Sequence, residues 1–334
     1  MRLENVLALT HGVLQSQPQI SEFLDVAVDI GKVRRGSLFI AINPHEIAEA
    51  QSRGAYGIVY DRDIAISDDE IAWVLVDDVF NALKRMMRFM LIDKELVGVV
   101  TDSIGLRIAK QIAASSQQLL VLKGKLHENV SKLLQSCDRA VVIFERECIQ
   151  SDLFTEVVSL EPATSLEGLA ICEQTLFESA FVYRDVYYER QHLPPLFLPW
   201  LISLIQLLEK HHIAFRLRPF QMFEHFYPVF VGESLQIKEF GSSERVVIFE
   251  PDVTLVAMEI DFITTHAPWA QKLFFLPEAV DIELRTCEKL LRYKKTQDII
   301  NALENHAFHF AFVAGCGADI LEHAEPRFKQ QNLF

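Results

Sequence analysis

The stretch Gly98-Val-Val-Thr-Asp-Ser-Ile-Gly-Leu-Arg-Ile-Ala-Lys110 carries the residues best placed to do chemistry. An apolar strand runs into a tight turn with Ser103 and Gly105, and a helical pattern follows. A phosphate-binding loop is built at such a corner, because backbone N–H groups and a helix N-terminus converge there on an anion. Such a loop also needs a lysine for the outer phosphates and a hydroxyl for magnesium. Here Thr101, Ser103 and Gly105 keep their places, but Leu106 and Arg107 stand where the lysine and the hydroxyl are required. Asp102 adds a carboxylate that repels phosphate. Arg107 is cationic, yet its planar fork is not the compact ammonium of lysine. Lys110 lies a helical turn further on. From these residues alone a plain strand–turn–helix junction is the simpler reading.

The remaining candidates are weaker. Glu145 ends the apolar run 139–145 and could hold magnesium, or be a solvated strand-end carboxylate. Ala314-Gly-Cys-Gly-Ala-Asp319 places Cys316 between two glycines after an apolar strand, with no base beside it in sequence; a tight turn is the simpler account. The aromatic segment 216–230 carries Arg216 and Arg218, and reads as core or interaction surface. The segment 291–297 reads as a solvated helix face. Five scattered cysteines without a CxxC pair suit reduced, mostly buried thiols. His211 and His212 are adjacent, so on a helix they diverge by about 100° and make a poor ligand pair.

The elements that must position these residues are those of an α/β protein. In the first ninety residues, strand-like runs at 26–30, 37–42, 56–61 and 72–78 alternate with helical spacing at 46–55 and 79–91. A second series follows: a strand at 96–101, a helix through about Ser115, and nearly continuous apolar runs at 118–124 and 139–145 around a helix at 131–137. Such runs are expected of parallel strands buried on both faces. A helical stretch is expected near 200–225, with a buried helix starting near Pro199. A connector strand is expected at 231–240, and further strand signals fall at 244–263, 271–279 and 308–323. The reading is three consecutive α/β units, with boundaries at 1–93, 94–235 and 236–334.

The composition supports a globular chain. Half of the 334 residues are hydrophobic, which suffices for a sizeable core. A net charge of −14 argues against broad nucleic-acid or anionic-membrane binding. The most apolar segment, 193–212, is broken by Pro194, Pro195 and Pro199, so no membrane span is expected. The N-terminus lacks a signal-peptide core, and the expected location is the cytoplasm.

The segment Val26-Ala-Val-Asp-Ile-Gly-Lys-Val-Arg-Arg-Gly-Ser-Leu-Phe-Ile-Ala41 and its continuation to Asp61 resemble the first domain of the Mur ligases. These ATP-dependent enzymes add amino acids or D-alanyl-D-alanine to UDP-N-acetylmuramoyl peptides. Asp29, Val33, Gly36, Leu38, Phe39, Ala41, Gly54, Ala55 and Val59 match that family's pattern in order. The helix 79–91 resembles the one leading into the family's TGxxGKT loop, whose position Thr101–Arg107 occupies. The resemblance is closest to members that take the tripeptide or add D-alanyl-D-alanine. It implies a Mur-ligase-like fold with a shortened central parallel-sheet domain. It also implies a uridine-side segment at Asp29, Phe39, Ala41 and Asn43, and a magnesium ligand at Glu145.

The departures fall on the chemistry. The family's reaction runs through an acyl phosphate, and its charge must be neutralised by the loop lysine and magnesium. The place of its modified lysine, near Cys172–Phe177, holds Glu173 or Gln174. Gly232 remains from a signature that opens the family's last domain, with Glu233 in place of arginine. Each such charge-stabilising group is worth about 3–4 kcal/mol of barrier, so several lost together leave little rate. The expectation is a pseudoenzyme with no catalytic residues and no cofactor, binding a UDP-muramoyl peptide or cell-wall synthesis proteins. Two alternatives stand beside it. One is an active ligase with an atypical ATP and magnesium site, using Arg107 or Lys110. The other is a protein–protein module unrelated to peptidoglycan.

Overall fold

The computed structural model describes residues 1–113, 116–146, 151–282 and 289–322. The chain groups into two compact units. One is Met1–Glu161 with Ser203–Leu217; the other is Pro162–Ile202 with the chain from Arg218 onward. The helix Leu198–Lys210 crosses from one to the other and is apolar on most faces.

The first unit holds two sheets. In the N-terminal one the strands lie in the order Val13–Leu14, Ala72–Leu75, Gly57–Tyr60, Ser37–Ile40, Asp25–Ala27, and all but the first are parallel. The three inner strands are apolar but for the buried Ser37 and are covered on both faces, as a parallel sheet under helices requires. The helix Val79–Leu91 starts where the Asp78 side chain accepts the Asn81 N–H at 2.7 Å. Its Val79, Ala82, Leu83, Met86, Met87 and Leu91 recur at helical spacing and form the buried stripe. The second sheet is wholly parallel, ordered Leu119–Val121, Val141–Glu145, Val97–Thr101, Glu156–Ser159.

The second unit also holds two sheets. One is antiparallel: Ala170–Gln174, Ser179–Tyr183 and Val186–Gln191. The other runs Tyr227–Val231, Arg245–Glu250, Phe310–Ala314, Lys272–Pro277, Lys289–Tyr293, and only its first strand is antiparallel. Its core joins Val247, Phe249, Phe275 and Val313 to Ile299 and Leu303 of the helix Thr296–Asn305.

The α/β class with several parallel sheets is the expected one, and most elements fall where the apolar runs place them. Five readings differ. The segment 291–297, expected as a solvated helix face, begins inside the strand Lys289–Tyr293 with Tyr293 buried, and the helix starts only at Thr296. The thiols expected to be mostly buried are exposed at Cys137 and Cys172 and half-buried at Cys316. The expected strand at 26–30 stops at Ala27, because the Asp29 side chain accepts the Gly31 N–H at 2.9 Å and turns the chain into a short 3-10 helix. Residues 231–240 form no connector strand: the strand there is Tyr227–Val231, and beyond it only Val231 bridges back to Ile237. The helical stretch near 200–225 ends at Lys210, and residues 213–223 carry no regular structure. The expected helix end at Ser115 lies outside the described residues, as do Cys148 and Cys287. No described helix is long and apolar enough to cross a membrane.

Candidate functional site

Val97–Thr101 is an interior strand, flanked on both sides by parallel neighbours: the chain leaves it for Leu119–Val121 on one side, and the later crossover from Val141–Glu145 runs to Glu156–Ser159 on its other side. The C-terminal edge of such a strand is where open α/β sheets place ligands. One residue, Asp102, separates the strand from the helix Ser103–Ala113. Its carboxylate Oδ1 accepts the Gly105 N–H at 2.8 Å, and its carbonyl accepts the Leu106 N–H at 3.0 Å. Asp102 is therefore the helix N-cap, and the chain's own carboxylate takes a donor that an anion would use. Leu106 is buried, as are Ile104, Ile108 and Ile112 of the same helix. Thr101 is buried, and its hydroxyl donates weakly to the Leu160 carbonyl at 3.4 Å. Ser103 and Arg107 are half-buried on the first two turns.

Glu145 pairs in register with Thr101 across the parallel strands, so it stands at the same sheet edge as the corner. Among the described residues no group of three or more histidines, cysteines and carboxylates is arranged to hold a metal ion.

The four N-terminal residues separate into two kinds. Asp29 and Asn43 lie just beyond the C-terminal ends of adjacent parallel strands, and each caps a short 3-10 helix; Asn43 Oδ1 accepts the His45 N–H at 3.2 Å. Asn43 also donates to Glu46 Oε1 at 3.2 Å. Phe39 and Ala41 are core residues, packed with Val33, Ile47, Ile58 and Trp73. The structure brings Asp29 and Asn43 to one sheet edge and keeps Phe39 and Ala41 beneath it.

A buried polar cluster escaped the sequence reading. At the C-terminal end of Arg245–Glu250, Glu250 is fully buried. Its carboxylate meets His225 Nδ1 at 2.8 Å and accepts the N–H groups of Phe226 at 3.0 Å and Asp252 at 2.7 Å. Burial acts to lower the His225 pKa, but the hydrogen bond and charge of Glu250, with Glu224 and Asp252, outweigh it and leave the pKa raised. Glu259, on the helix Val256–His266, is also fully buried, and neither of its carboxyl oxygens meets a donor among the described residues. Burial first, and then the negative charge of Glu250 and Asp252, push its pKa well above the usual carboxylate range. Only pairs 25 and 9 residues apart in a region of mixed sequence make up this cluster, and no compact motif announces it.

The turn at 314–319 is structural. Gly315 has φ +77°, and a Cβ there would come within 2.9 Å of Pro277. Its N–H donates to the Glu250 carbonyl at 2.7 Å. Tyr293 Oη bonds the Ala314 carbonyl at 2.5 Å and lies 3.1 Å from Cys316 Sγ. Burial, followed by the Cys316 contact, holds the Tyr293 pKa above its ordinary value.

Together these sheets define the fold of the Mur ligases. A crystal structure of MurF from Acinetobacter baumannii is similar at a TM-score of 0.55, with 10% identity, covering 94% of this chain and 95% of that one. A second structure from that organism, titled UDP-N-acetylmuramoylalanyl-D-glutamyl-2,6-diaminopimelate–D-alanyl-D-alanyl ligase, has a TM-score of 0.49 at 11% identity, with 94% of each chain covered. MurF ligase from Thermotoga maritima in complex with ADP has a TM-score of 0.49 at 12% identity, covering 89% of this chain and 95% of that one. No protein-family model and no curated protein sequence matches the chain.

Proposed function

We propose that this chain is a non-catalytic protein built on the Mur ligase fold, which binds or scaffolds in cytoplasmic cell-wall precursor metabolism and performs no ligation. One observation carries the reading: the corner at Thr101–Arg107 is closed by its own Asp102. A triphosphate needs converging N–H donors, a lysine and a magnesium-binding hydroxyl. At this corner the Gly105 N–H is capped, the second turn begins with a buried Leu106, and no lysine precedes Lys110. The residues present do not fit ATP with magnesium. The polar positions Asp29 and Asn43, at one strand-end edge of the N-terminal sheet, support retained binding of a UDP-muramoyl peptide there.

Calorimetric titration tests the reading directly. ATP with magnesium is expected to give no binding heat, and phosphate release is expected to stay at background with UDP-muramoyl peptides and D-alanyl-D-alanine. A UDP-muramoyl tripeptide is expected to bind in the absence of nucleotide. Micromolar, magnesium-dependent ATP binding, or peptide-dependent phosphate release lost in Arg107→Ala, would instead establish the active-ligase alternative. Silence toward both ligands would leave the fold serving protein partners.

A further inference from the structure

The second unit contains a cavity of about 570 Å³ at the end of its parallel sheet opposite to Glu250 and Gly315. Val246 and Phe310, at the N-terminal ends of two strands, line it. That volume lies inside the range of about 300–1,000 Å³ usual for small-molecule sites.

The antiparallel sheet supplies one wall through the turn 175–178. Thr175 fixes that turn, since its hydroxyl accepts the Phe177 and Glu178 N–H groups at 3.2 and 2.9 Å and its own N–H donates to the Glu178 carbonyl at 2.9 Å. The turn thereby holds Phe177 and Glu178 buried in the cavity wall. Phe177 packs within 6.2 Å, centroid to centroid, of Phe230 and Phe310. Phe240 stacks edgewise on Phe230 at 4.9 Å. Trp269 stands at the rim against Phe310 and His309, 70% exposed.

The lining of this aromatic cavity carries two carboxylates, Glu178 and Glu244, against one guanidinium, Arg190. Glu178 is 93% removed from solvent, as its 7% exposure states, and Glu244 is a second carboxylate in the lining. The Glu178 contacts are long and come from exposed groups: Arg190 Nη2 at 3.3 Å and His192 Nδ1 at 3.5 Å. His266, also in the lining, bonds through Nδ1 to the Phe262 carbonyl at 2.9 Å. The cations found over rings among the described residues, Arg184 over Tyr183 and Arg245 over Phe308, use none of the cavity's aromatics.

We infer that this cavity binds a small organic cation with an apolar body, an alkyl- or aryl-ammonium, its charged nitrogen on Glu178 and its body between Phe177, Phe240 and Trp269. A buried carboxylate supplies the counter-charge, and aromatic faces attract a desolvated cation more strongly than a neutral group. Arg190, already exposed, moves aside to solvent when the ligand's ammonium takes its place.

Trp73 and Trp200 are buried, so Trp269 fluorescence reports the site in the unmodified full chain. Phenethylammonium is the probe, compared with phenethyl alcohol and 3-phenylpropionate, which keep the ring and change the charge. The ammonium is expected to saturate, with the alcohol about tenfold weaker or more and the carboxylate weaker still. Glu178→Gln is expected to erase the preference for ammonium over alcohol while leaving the alcohol's affinity unchanged. Equal binding of all three, preference for the carboxylate, or no saturation by the ammonium overturns the inference. The ligand series on the unmodified chain decides the matter even if Glu178→Gln does not fold.

Discussion

Two strand-to-helix corners of this molecule begin from the same material and use it in opposite ways. Each closes an interior parallel strand at its C-terminal edge, and each has a carboxylate at or next to the strand end: Asp102 after Val97–Thr101, and Glu250 at the end of Arg245–Glu250. Asp102 is exposed and spends its carboxylate on the helix that follows. Glu250 is sealed in, bound by His225 and two backbone N–H groups, with a second buried acid, Glu259, on its following helix. The first corner is a local solution in which the chain's own carboxylate caps the helix that follows. The second retains charge inside the fold, which is stable only while every partner is present.

The largest effect should come from breaking the second corner. Glu250→Ala strips His225 and two N–H groups of their acceptor, and removal of one member of a buried ion pair costs about 3–5 kcal/mol. Urea denaturation should place the variant's midpoint far below that of the parent. A loss under about 1 kcal/mol would mean that water reaches His225 and that the corner is not sealed.

Glu259→Gln sharpens the same contrast in the other direction. A carboxyl whose folded pKa is raised holds its proton where the unfolded chain has already released it. Its contribution is therefore intact below the ordinary value of 4.5 and lost as pH climbs toward the folded pKa. The variant should match the parent near pH 4 and exceed it by about 1–3 kcal/mol at pH 8, where the parent must hold a buried acid against the Glu250 carboxylate. His225, also raised, gives a fall of the same sign above its ordinary 6.5, and that slope should survive in Glu259→Gln. A variant with the parent's full pH dependence would assign the whole slope to His225.

These corners also show what a sequence can and cannot announce. The corner at Asp102 was legible because all its parts are contiguous: a strand of Val and Thr, a capping acid, then Ile104, Leu106, Ile108 and Ile112 on the helix. The buried runs 37–40, 57–60 and 245–250 were legible for the same reason. The antiparallel sheet at 170–191 was not. Its two-residue turn is made by Arg184 and Asp185 at φ 48° and 61°, a geometry normally signalled by Asn-Gly, and its outer strands are too exposed to alternate cleanly. Phe39 and Ala41 matched a family pattern that does not distinguish a core position from a ligand contact, and here they are core. The cavity around Phe177 draws on six separate segments, so no window of sequence contains it.

The smallest effect is expected at Asp102, and it is the most informative about function. Loss of an N-cap costs about 1 kcal/mol, so Asp102→Ala should unfold slightly earlier, while Asp102→Asn, which keeps an accepting oxygen, should lose only a few tenths. Both variants remove the carboxylate's charge, and only Asp102→Ala also uncovers the Gly105 N–H. Asp102→Ala frees the Gly105 N–H and removes the nearest negative charge, but it restores neither a lysine nor a wide loop, and Leu106 stays packed inside. Titration of Asp102→Ala with ATP and magnesium should therefore remain silent, as for the parent. If binding appears, the carboxylate alone was the barrier and the remaining corner still forms a phosphate cradle. If none appears, the corner's closure lies in its whole geometry, with the helix starting one residue after the strand.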